Sequence, residues 1–500
     1  MSIKSFLAKR MAQRTKKRIE SWSEKPIETQ QKVFERLIEV AKKTKFGMDH
    51  NFGEMTNIKD FQSRVPVRDY EAMKGYVDLA VAGHSDILWP GRPLYFAKTS
   101  GTTSGAKYIP ITKQSMPEHI NAAKSALLMY IAHTGQSDFV DGKMIFLQGS
   151  PVLKEVNGIK QGRLSGIVAH YVPKYLQKNR LPSWETNCIE DWETKVNQIV
   201  EETINQDMRV ISGIPSWVQM YFEKLAHKSG KKIGDLFPNF KLFVFGGVNY
   251  APYQSKFEQL IGRKTPSIEL FPASEGFFAF QDRQDRQGLL LLLDSGIFYE
   301  FIEASTFFDS DYKRLTLEEV QMNVNYVMII STTAGLWAYN LGDTVMFTSL
   351  LPFRVKVTGR IKHFISAFGE HVIGQEVERA MQAALAQSDA VVNEFSVAPQ
   401  VNPGEGLPYH QWFIDFDSEP SDMQAFRHLI DQELQLQNSY YRDLIAGKVL
   451  QPLQITAVAK GSFDRYMASK GKLGGQNKLP RLANNRDIAT FLETQDPVLM

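Results

Sequence analysis

Residues 95–112 of the chain are YFAKTSGTTSGAKYIPIT, an apolar segment that leads into glycines, hydroxyl residues and a lysine. Glycine lets the backbone approach a ligand closely and adopt positive φ. Successive backbone amides and hydroxyls form a concave site for anionic oxygens, and a lysine beyond them adds a mobile positive charge. The segment therefore predicts a phosphate-binding loop. A solvated turn is the alternative, because Gly, Ser and Thr also favour turns.

The spacing in this loop argues against a P-loop NTPase. The Walker A pattern requires Gly, four residues and then Gly-Lys-Ser/Thr. Here Ala106 separates Gly105 from Lys107, and Tyr108 occupies the position of the magnesium-binding hydroxyl. The loop therefore belongs to another class of phosphate-binding site.

Four segments in order along the chain resemble the motifs of acyl-adenylate-forming enzymes. Phe271 and Glu275 fall on the aromatic and acidic positions of that superfamily's Y-G-x-S/T-E segment. Asp343 falls on the acid of its Y-x-x-G-D segment, and Arg360 on the arginine of its G-R-x-D/K hinge. The segments are TSGTTSGAK (99–107), ELFPASEG (269–276), GLWAYNLGD (335–343) and VTGRIKHFI (357–365), followed by an acidic step at EVE (376–378).

Within that superfamily the chain most resembles the Gretchen Hagen 3 family of auxin-responsive acyl-acid amido synthetases, particularly its bacterial members. FVFGGVN (243–249) is similar to the family's Gly-Gly segment, and KGSFD (460–464) and GQNKLPR (475–481) are similar to its tail elements. The likeness extends from about Phe96 to Leu492. Phe271, Pro272 and Ala338 depart from the usual residues. The P-K-T-x-S-G-K ending of acyl-CoA ligases is absent, which leaves the identity of the catalytic lysine open.

The resemblance implies an α/β fold with two parts. One is a large N-terminal acyl-adenylate-forming (firefly-luciferase-like) domain of parallel β-sheets flanked by helices, and the other is a small mobile α+β C-terminal lid domain. Short apolar runs such as 241–245 and 326–331 alternate with amphipathic segments such as 27–43 and 188–203, which favours a largely parallel core. We expect an ATP- and acyl-binding domain at 1–355, a hinge at 356–362 and a lid at 363–500.

The resemblance also assigns roles to individual residues. Glu275 is the expected magnesium ligand and a catalytic residue, since Mg²⁺ takes one or two carboxylates together with phosphate oxygens. Phe271 is expected to stack on adenine, and Asp343 to accept hydrogen bonds from the ribose hydroxyls. Lys362, the hinge pivot, and Lys478, in the tail, are the candidate catalytic lysines. The other nucleotide-binding candidates are Thr99, Ser100, Gly101, Thr102, Thr103, Lys107, Gly247, Ala273, Ser274 and Arg360.

Several of these residues also fit a structural role. Phe271 fits a core aromatic, Asp343 fits a turn residue, and Lys362 and Lys478 fit solvated charges. Glu275 is harder to explain structurally, because an acid flanked by glycine and two phenylalanines is costly to bury without a partner.

Composition limits the classes of function. The 500 residues include 58 basic and 55 acidic side chains, and the net charge of +3 gives no argument for nucleic acid. The lone Cys188 forms no intrachain disulfide and favours a cytoplasmic location, and no CxxC or HExxH motif indicates zinc. Apolar runs are far shorter than a membrane span. The basic segment 1–19 is expected to form a solvated helix, with a mitochondrial-type leader as the alternative. A monomer is the default state.

The family resemblance and the residues that carry it imply an ATP- and Mg²⁺-dependent ligase. It would convert a carboxylic acid to acyl-AMP and pyrophosphate, and then transfer the acyl group to an amine, expected to be an amino acid. Positioned donors and a metal suit this chemistry because the transition state gathers negative charge at the α-phosphorus. The alternatives are an acyl-CoA ligase with a thiol acceptor and a non-catalytic acyl- or nucleotide-binding relative. No motif specifies the acid or the amine.

Overall fold

The chain forms two compact units in the computed structural model, which describes residues 2–102, 105–172, 177–247, 250–361, 364–365, 372–401, 403–446, 449–473, 478–483 and 485–495. Side chains at 99–102, 105–106, 216, 251–252, 364–365, 439–440, 443 and 495 also lie outside this description. One unit comprises 1–247 and 264–356, and the other comprises 248–263 and 357–500. The division expected from the sequence did not assign 248–263 to the second part.

The first unit contains two sheets. Its strands are β1 (Tyr95–Thr102), β2 (Gly105–Ile111), β3 (Lys143–Phe146), β4 (Lys154–Val156), β5 (Ile159–Gly162), β6 (Arg180–Leu181), β7 (Met208–Ser212), β8 (Leu242–Gly246), β9 (Ser267–Ala273), β10 (Gly276–Phe280), β11 (Leu289–Leu291), β12 (Ile297–Glu303), β13 (Asn325–Thr332), β14 (Tyr339–Leu350) and β15 (Phe353–Arg360), the last crossing into the second unit. The smaller sheet has the order β2-β1-β5-β4, and the larger has the order β12-β13-β14-β15-β11-β10-β9-β8-β7-β3-β6.

Pairing in the larger sheet is mixed. The neighbours β9-β8-β7-β3-β6 run parallel, whereas β9–β10, β10–β11, β11–β15, β12–β13 and β13–β14 are antiparallel. The alternation of strands and helices suggested a largely parallel core. The structure instead has a mixed sheet, in which only one half is parallel. The apolar run at 326–331 is a buried strand as predicted, and Leu289–Leu291 is another. Both strands lie in the antiparallel half of the sheet.

Helices of the first unit cover the sheets. They are α1 (Ile3–Ser23), α2 (Pro26–Ala41), α3 (Lys45–Asp49), α4 (Ile58–Arg64), α5 (Tyr70–Val81), α6 (Met116–Thr134), α7 (Leu164–Ala169), α8 (Trp184–Cys188), α9 (Trp192–Thr203), α10 (Pro215–Ser229) and α11 (Ile233–Leu236). Helix α2 begins with Pro26, which suits a first turn, and buries Phe34, Leu37 and Ile38 at helical spacing. The basic N-terminal helix is present as α1, and it buries one face against α6 rather than being solvated throughout.

The segment expected as one helix at 188–203 forms parts of two helices. Asp191 ends the connection between them, because its carboxylate accepts a hydrogen bond from the Thr194 N–H at 2.9 Å and so caps α9. An N-cap aspartate satisfies a backbone donor that no helical carbonyl can reach.

The second unit is a small α+β structure. It contains α12 (Ala251–Ile261), β16 (Phe364–Ile365), β17 (Val372–Ile373), α13 (Gly374–Leu385), β18 (Val391–Gln400), β19 (Tyr409–Ser418), α14 (Met423–Gln437), α15 (Ser439–Ala446), β20 (Gln454–Val458), α16 (Ser462–Ser469) and α17 (Asp487–Gln495). A three-stranded sheet, β18-β19-β20, carries α13 and α14 over a core that includes Trp412 and Phe426. The elements at 374–458 follow the order α-β-β-α-α-β, which agrees with the small α+β domain expected from the sequence.

Among the described residues, no helix combines the length and the apolar character that crossing a bilayer requires.

Candidate active site

The expected phosphate loop forms the end of a β-hairpin. Strands β1 and β2 pair antiparallel, with Thr99 opposite Lys107 and Thr102 opposite Gly105, and the register shifts between Thr99 and Thr102. Backbone at Thr99, Ser100, Gly101 and Thr102 is therefore strand, while the side chains of these candidates and all of Thr103 lie outside the described residues.

Tyr70 holds the second strand of this hairpin. The Tyr108 N–H donates a hydrogen bond to the Tyr70 hydroxyl at 2.9 Å, and Lys107 Nζ lies 5.6 Å from the centroid of the same ring. Burial raises the pKa of the Tyr70 hydroxyl, so it stays neutral. A cation over an aromatic face is stabilised by the ring quadrupole, which holds the Lys107 ammonium close to the hairpin.

Residues 68–70 also connect the hairpin to strand β14. The Arg68 N–H donates to the Ala338 carbonyl at 3.1 Å, and the Asn340 N–H donates to the Arg68 carbonyl at 2.8 Å. At the base of the hairpin, Thr112 Oγ1 donates to the Thr333 carbonyl at 2.8 Å. The sequence segments 99–107 and 335–343 are thus brought together, although nothing in the sequence alone identified Arg68 or Tyr70 as their link.

Asp343 lies in a bulge of β14, where the pairing with β13 is interrupted. Between paired positions 327/344 and 329/340, β13 contributes one residue and β14 contributes three. Gly342 makes this possible with φ of 88°, and its N–H donates to Asn340 Oδ1 at 2.8 Å. Bulges re-aim side chains and are common beside active sites. Asp343 is buried, and the bulge fixes its position in the strand.

Glu275 occupies a tight turn between two core strands. Ala273 pairs with Gly276, so Ser274 and Glu275 form the two-residue turn between β9 and β10. The Glu275 side chain is half-buried. A Cβ atom at Gly276 would lie 2.7 Å from Ile297 Cδ1 and 3.0 Å from Phe278 Cε1, so a larger residue directly after the acid would require these side chains to shift.

Helix α6 links this turn to the hairpin. It begins at Met116, a few residues after β2 ends at Ile111, and it packs across both β9 and β10. The hairpin, the Asp343 bulge and the Glu275 turn are thus held in one packed unit.

Phe271 lies on β9 and is 6% exposed. Its ring packs edge-to-face against Phe278, with centroids 5.1 Å apart and planes at 66°. This position favours the structural role that the sequence left open for Phe271. Pro272, the next residue, is exposed instead.

The glycine pair at the end of β8 contributes in two different ways. A Cβ atom at Gly246 would lie 2.7 Å from the Leu270 carbonyl oxygen, so Gly246 permits close pairing of β8 with β9. Gly247 is exposed and has φ of 80°, a conformation that glycine adopts without steric cost. The exposed backbone at Gly247 lies directly beyond the carboxyl end of a parallel strand, where α/β proteins commonly bind ligands.

The remaining candidates belong to the second unit. Arg360 is exposed at the end of β15, Lys478 is exposed, and Lys362 lies outside the described residues. The tail is anchored by Arg481, which the sequence did not single out. Arg481 forms an ion pair with Glu394, donates to the Tyr253 hydroxyl at 2.8 Å, and lies 4.6 Å from the Phe395 ring centroid.

The acidic step at 376–378 has structural partners within this unit. Glu376 caps α13, because its Oε2 accepts hydrogen bonds from the Ile373 N–H at 3.0 Å and from Asn438 Nδ2 at 3.1 Å. Burial nevertheless raises the pKa of Glu376. Glu378 lies 3.8 Å from Arg481 Nε. These two carboxylates help to hold the tail segment and the helix.

Three family models match the chain in order. They describe the GH3 family N-terminal domain at residues 15–188, the GH3 family central domain at 290–360 and the GH3 family C-terminal domain at 375–487. The chain belongs to the GH3 family. The matched ranges include the hairpin, the Asp343 bulge and the anchored tail, and they confirm the family resemblance found in the motifs.

Curated relatives of this GH3 protein include the indole-3-acetic acid-amido synthetase GH3.3 of Arabidopsis thaliana. The two are 22% identical over 280 residues, which is 53% of this chain and 47% of that protein. The chain spans about half the length of the curated relatives that it matches first.

Two solved structures resemble the GH3 chain over nearly its whole length. AtGH3.15 acyl acid amido synthetase in complex with 2,4-DB has a TM-score of 0.80 and 16% identity, covering 98% of this chain and 96% of that one. A 2-hydroxyisobutyryl-CoA ligase, in the postadenylation state in complex with R3-HIB-AMP, has a TM-score of 0.57 and 12% identity, covering 96% and 91%. These likenesses confirm the adenylate-forming fold.

Proposed function

We propose that this protein is an ATP-dependent ligase that joins a carboxylic acid to an amine, an amino acid in the simplest case. In the first step the acid carboxylate attacks the α-phosphorus of ATP, forming acyl-AMP and releasing pyrophosphate. In the second step the amine attacks the acyl carbon, forming the amide and releasing AMP. Family membership supports the reaction class. The observation that carries the proposal is the assembly of hairpin, Asp343 bulge and Glu275 turn in one unit.

The hairpin and the glycine at the end of β8 are proposed to bind the nucleotide. Lys107, held over Tyr70, supplies positive charge beside the hairpin, and exposed backbone at Gly247 suits close approach by a ligand. The Asp343 carboxylate is proposed to accept hydrogen bonds from the ribose hydroxyls. Ala273 and Ser274 precede Glu275 in the turn and are proposed to flank the nucleotide.

Glu275 fits a magnesium ligand, because a half-buried carboxylate at a turn can pair with a cation that also binds phosphate oxygens. Bound Mg²⁺ would neutralise part of the charge that develops on the phosphates. The residues of this chain do the positioning: the turn aims the carboxylate, and Gly276 allows the turn to pack against β12.

The second unit is proposed to act as a lid that supplies Arg360 and Lys478 for one of the two steps. Its boundary with the first unit at 356/357 falls in the segment expected as a hinge. Lys478 lies three residues before Arg481, whose side chain is anchored by Glu394 and Tyr253. A cytoplasmic setting accompanies the proposal, since the chain has one cysteine.

ATP–pyrophosphate exchange with pooled carboxylic acids tests the first step. We expect exchange that depends on an acid, and Glu275→Gln should lose most of it, whereas the matched control Glu303→Gln, an exposed strand-end acid in the same unit, should keep it. Asp343→Ala should raise the KM for ATP strongly. Mg-ATP binding without exchange for any acid would favour a non-catalytic binder.

The acceptor is tested by following AMP release after the acid is known. Release that depends on an amino acid and yields an amide supports the proposal. Release that depends on coenzyme A, with none for any amine, would replace it by the acyl-CoA ligase alternative.

A further inference from the structure

A buried lysine lies near the carboxyl end of β3, away from the residues used above. Lys195 on α9 is 1% exposed. Its Nζ donates hydrogen bonds to the carbonyl oxygens of Gln148 at 3.0 Å and Asn187 at 2.7 Å. Burial lowers the pKa of Lys195 to about 8; the Cys188 thiol acts in the opposite direction, and the Arg163 guanidinium adds a smaller lowering effect. The hydrogen-bond acceptors of the Lys195 ammonium are therefore two neutral carbonyls and not a carboxylate.

Two arginines accompany this lysine. The Arg163 side chain packs against Gly149, where a Cβ atom would lie 2.9 Å from its Cδ. Arg180 donates to the Ala169 carbonyl at 3.4 Å and lies 5.8 Å from the Phe146 ring centroid. Within the described part of the chain, no carboxylate forms an ion pair with Arg163, Arg180 or Lys195.

Two arginines of the same unit with nearly inaccessible side chains are, by contrast, paired with carboxylates. Arg314 pairs with Glu300, and Arg354 pairs with Asp282, in both cases through two hydrogen bonds to one carboxylate. A buried cation is stable when an anion compensates it. Lys195 differs from these residues, because its buried charge has two carbonyl partners and no carboxylate among the described residues.

The cluster of Lys195, Arg163 and Arg180 contains hydrogen-bond donors whose acceptors are not among the described residues. Gln148 Nε2, Arg180 Nε and Trp192 Nε1 are buried without a partner there. Leaving such a donor unsatisfied costs about 1–3 kcal/mol. Uncompensated positive charge and several unmatched donors together fit one class of ligand group, an anion with several acceptor oxygens such as a carboxylate.

The sheet topology gives the distance of this cluster from the proposed reaction site. Phe146 is paired with Ser212, and Ser212 with Val244, so the ends of β3, β7 and β8 lie at one edge of the sheet. With neighbouring strands about 4.8 Å apart, β3 is about 10 Å from β8 and about 14 Å from β9. That is too far for the reacting carboxylate of an acid activated near Glu275, but it suits a second group at the other end.

We propose that Arg163, Arg180 and Lys195 bind a second anionic group of the acid substrate, so that the preferred acids are dicarboxylic acids or acids with an anionic group at the far end. The inference rests on the proposed adenylation function. It adds a substrate class that the motifs do not specify.

The test compares octanedioate with octanoate in ATP–pyrophosphate exchange. We expect the wild-type protein to prefer octanedioate by about tenfold or more in kcat/KM, the scale of a charge-assisted hydrogen bond. Arg163→Gln and Lys195→Met should remove that preference while leaving octanoate nearly unchanged. Lys178→Met, which removes an exposed cation from the adjoining segment, should behave as wild type.

Equal use of the two acids by the wild-type protein would overturn the inference while leaving the adenylation proposal intact. If the variants Arg163→Gln and Lys195→Met change only the KM for the amino acid, and raise it, the cluster binds the carboxylate of the acceptor. That result would also overturn the inference. If no acid supports exchange, the inference is tested by calorimetry with octanedioate. Binding by the wild-type protein that is weaker in Arg163→Gln supports the site, and absence of binding to the wild-type protein refutes it. Arg163 is exposed, so this variant should fold even if Lys195→Met does not.

Discussion

Glu300 and Arg314 illustrate how single residues stabilise the first unit. Their side chains are 1% and 7% exposed, and Arg314 Nη2 lies 2.6 Å from Glu300 Oε2. Removing one partner of a buried pair leaves an uncompensated charge and costs about 3–5 kcal/mol. We expect Glu300→Gln to lower the free energy of unfolding by about 3 kcal/mol in chemical denaturation.

The control is the exposed pair of Glu28 and Lys32 on α2. Solvent screens such pairs, so Glu28→Gln should change the free energy of unfolding by less than about 1 kcal/mol. Similar losses in the two variants would show that burial of the Glu300 pair does not matter.

His119 predicts a pH dependence of stability. Burial lowers its pKa to about 4, whereas the pKa of an unfolded histidine is about 6.5. Between these two pH values the unfolded chain binds a proton at His119 and the folded chain does not. The free energy of unfolding therefore falls by up to about 3 kcal/mol as the pH drops from 6.5 to 4. Denaturation from pH 7 to 4 should show a smaller fall for His119→Leu than for wild type. The exposed His84, changed to Gln, should leave the fall unchanged, and an identical fall in His119→Leu would contradict the prediction.

At the scale of elements, the bulge in β14 depends on one glycine. Nothing lies within 4 Å of a Cβ atom at Gly342, so Gly342→Ala introduces only the strain of a positive φ, about 1 kcal/mol. Relief of that strain would shift the bulge and turn Asp343 away, and the KM for ATP should rise several-fold in exchange assays. Gly374→Ala is the matched control, since Gly374 is equally unobstructed without a positive φ. An unchanged KM in Gly342→Ala would separate the bulge from nucleotide binding.

The sequence predicted the positions of helices and strands better than it predicted which strands pair with each other. Local patterns predicted a helix at 27–43 and a strand at 241–245, close to the observed α2 (26–41) and β8 (242–246). An amphipathic helix repeats its apolar residues with a period of 3.6, and a strand that is buried on both faces is a short continuous apolar run. The motif residues Glu275 and Asp343 were likewise found without the structure. The turn and the bulge that hold these two residues depend on pairing with β10 and β13, and pairing between separate segments leaves no local pattern. The anchoring role of Arg481 was missed for the same reason, since its partners Glu394 and Tyr253 are far away in sequence.

At the scale of the whole molecule, the second unit contains a helix from the middle of the chain. Helix α12 buries Tyr253, Phe257 and Ile261, and Lys256 Nζ donates to Asp417 Oδ2 at 2.6 Å. The chain therefore passes between the units at 247/248, 263/264 and 356/357. A lid that rotates about 356–362 must carry α12 with it or break these contacts. If α12 moves with the lid, the connections at 247/248 and 263/264 must also bend, whereas a lid with a single hinge would bend only at 356–362.

This composition of the second unit can be tested with fragments. Residues 357–495 alone should expose the apolar faces of β18 and α13 that α12 covers, whereas the same fragment joined to 248–263 by a flexible linker should bury them. Full burial of one large apolar side chain contributes about 1.5–3 kcal/mol, so the three on α12 supply several kcal/mol. We expect the joined fragment to melt cooperatively at a higher temperature and to bind less of a hydrophobic dye. Tyr253→Ala with Phe257→Ala in the joined fragment should abolish the gain, because the helix would remain attached without its buried side chains. Equal melting temperatures of the two fragments would mean that α12 is not part of the folding unit. The lid could then rotate without α12.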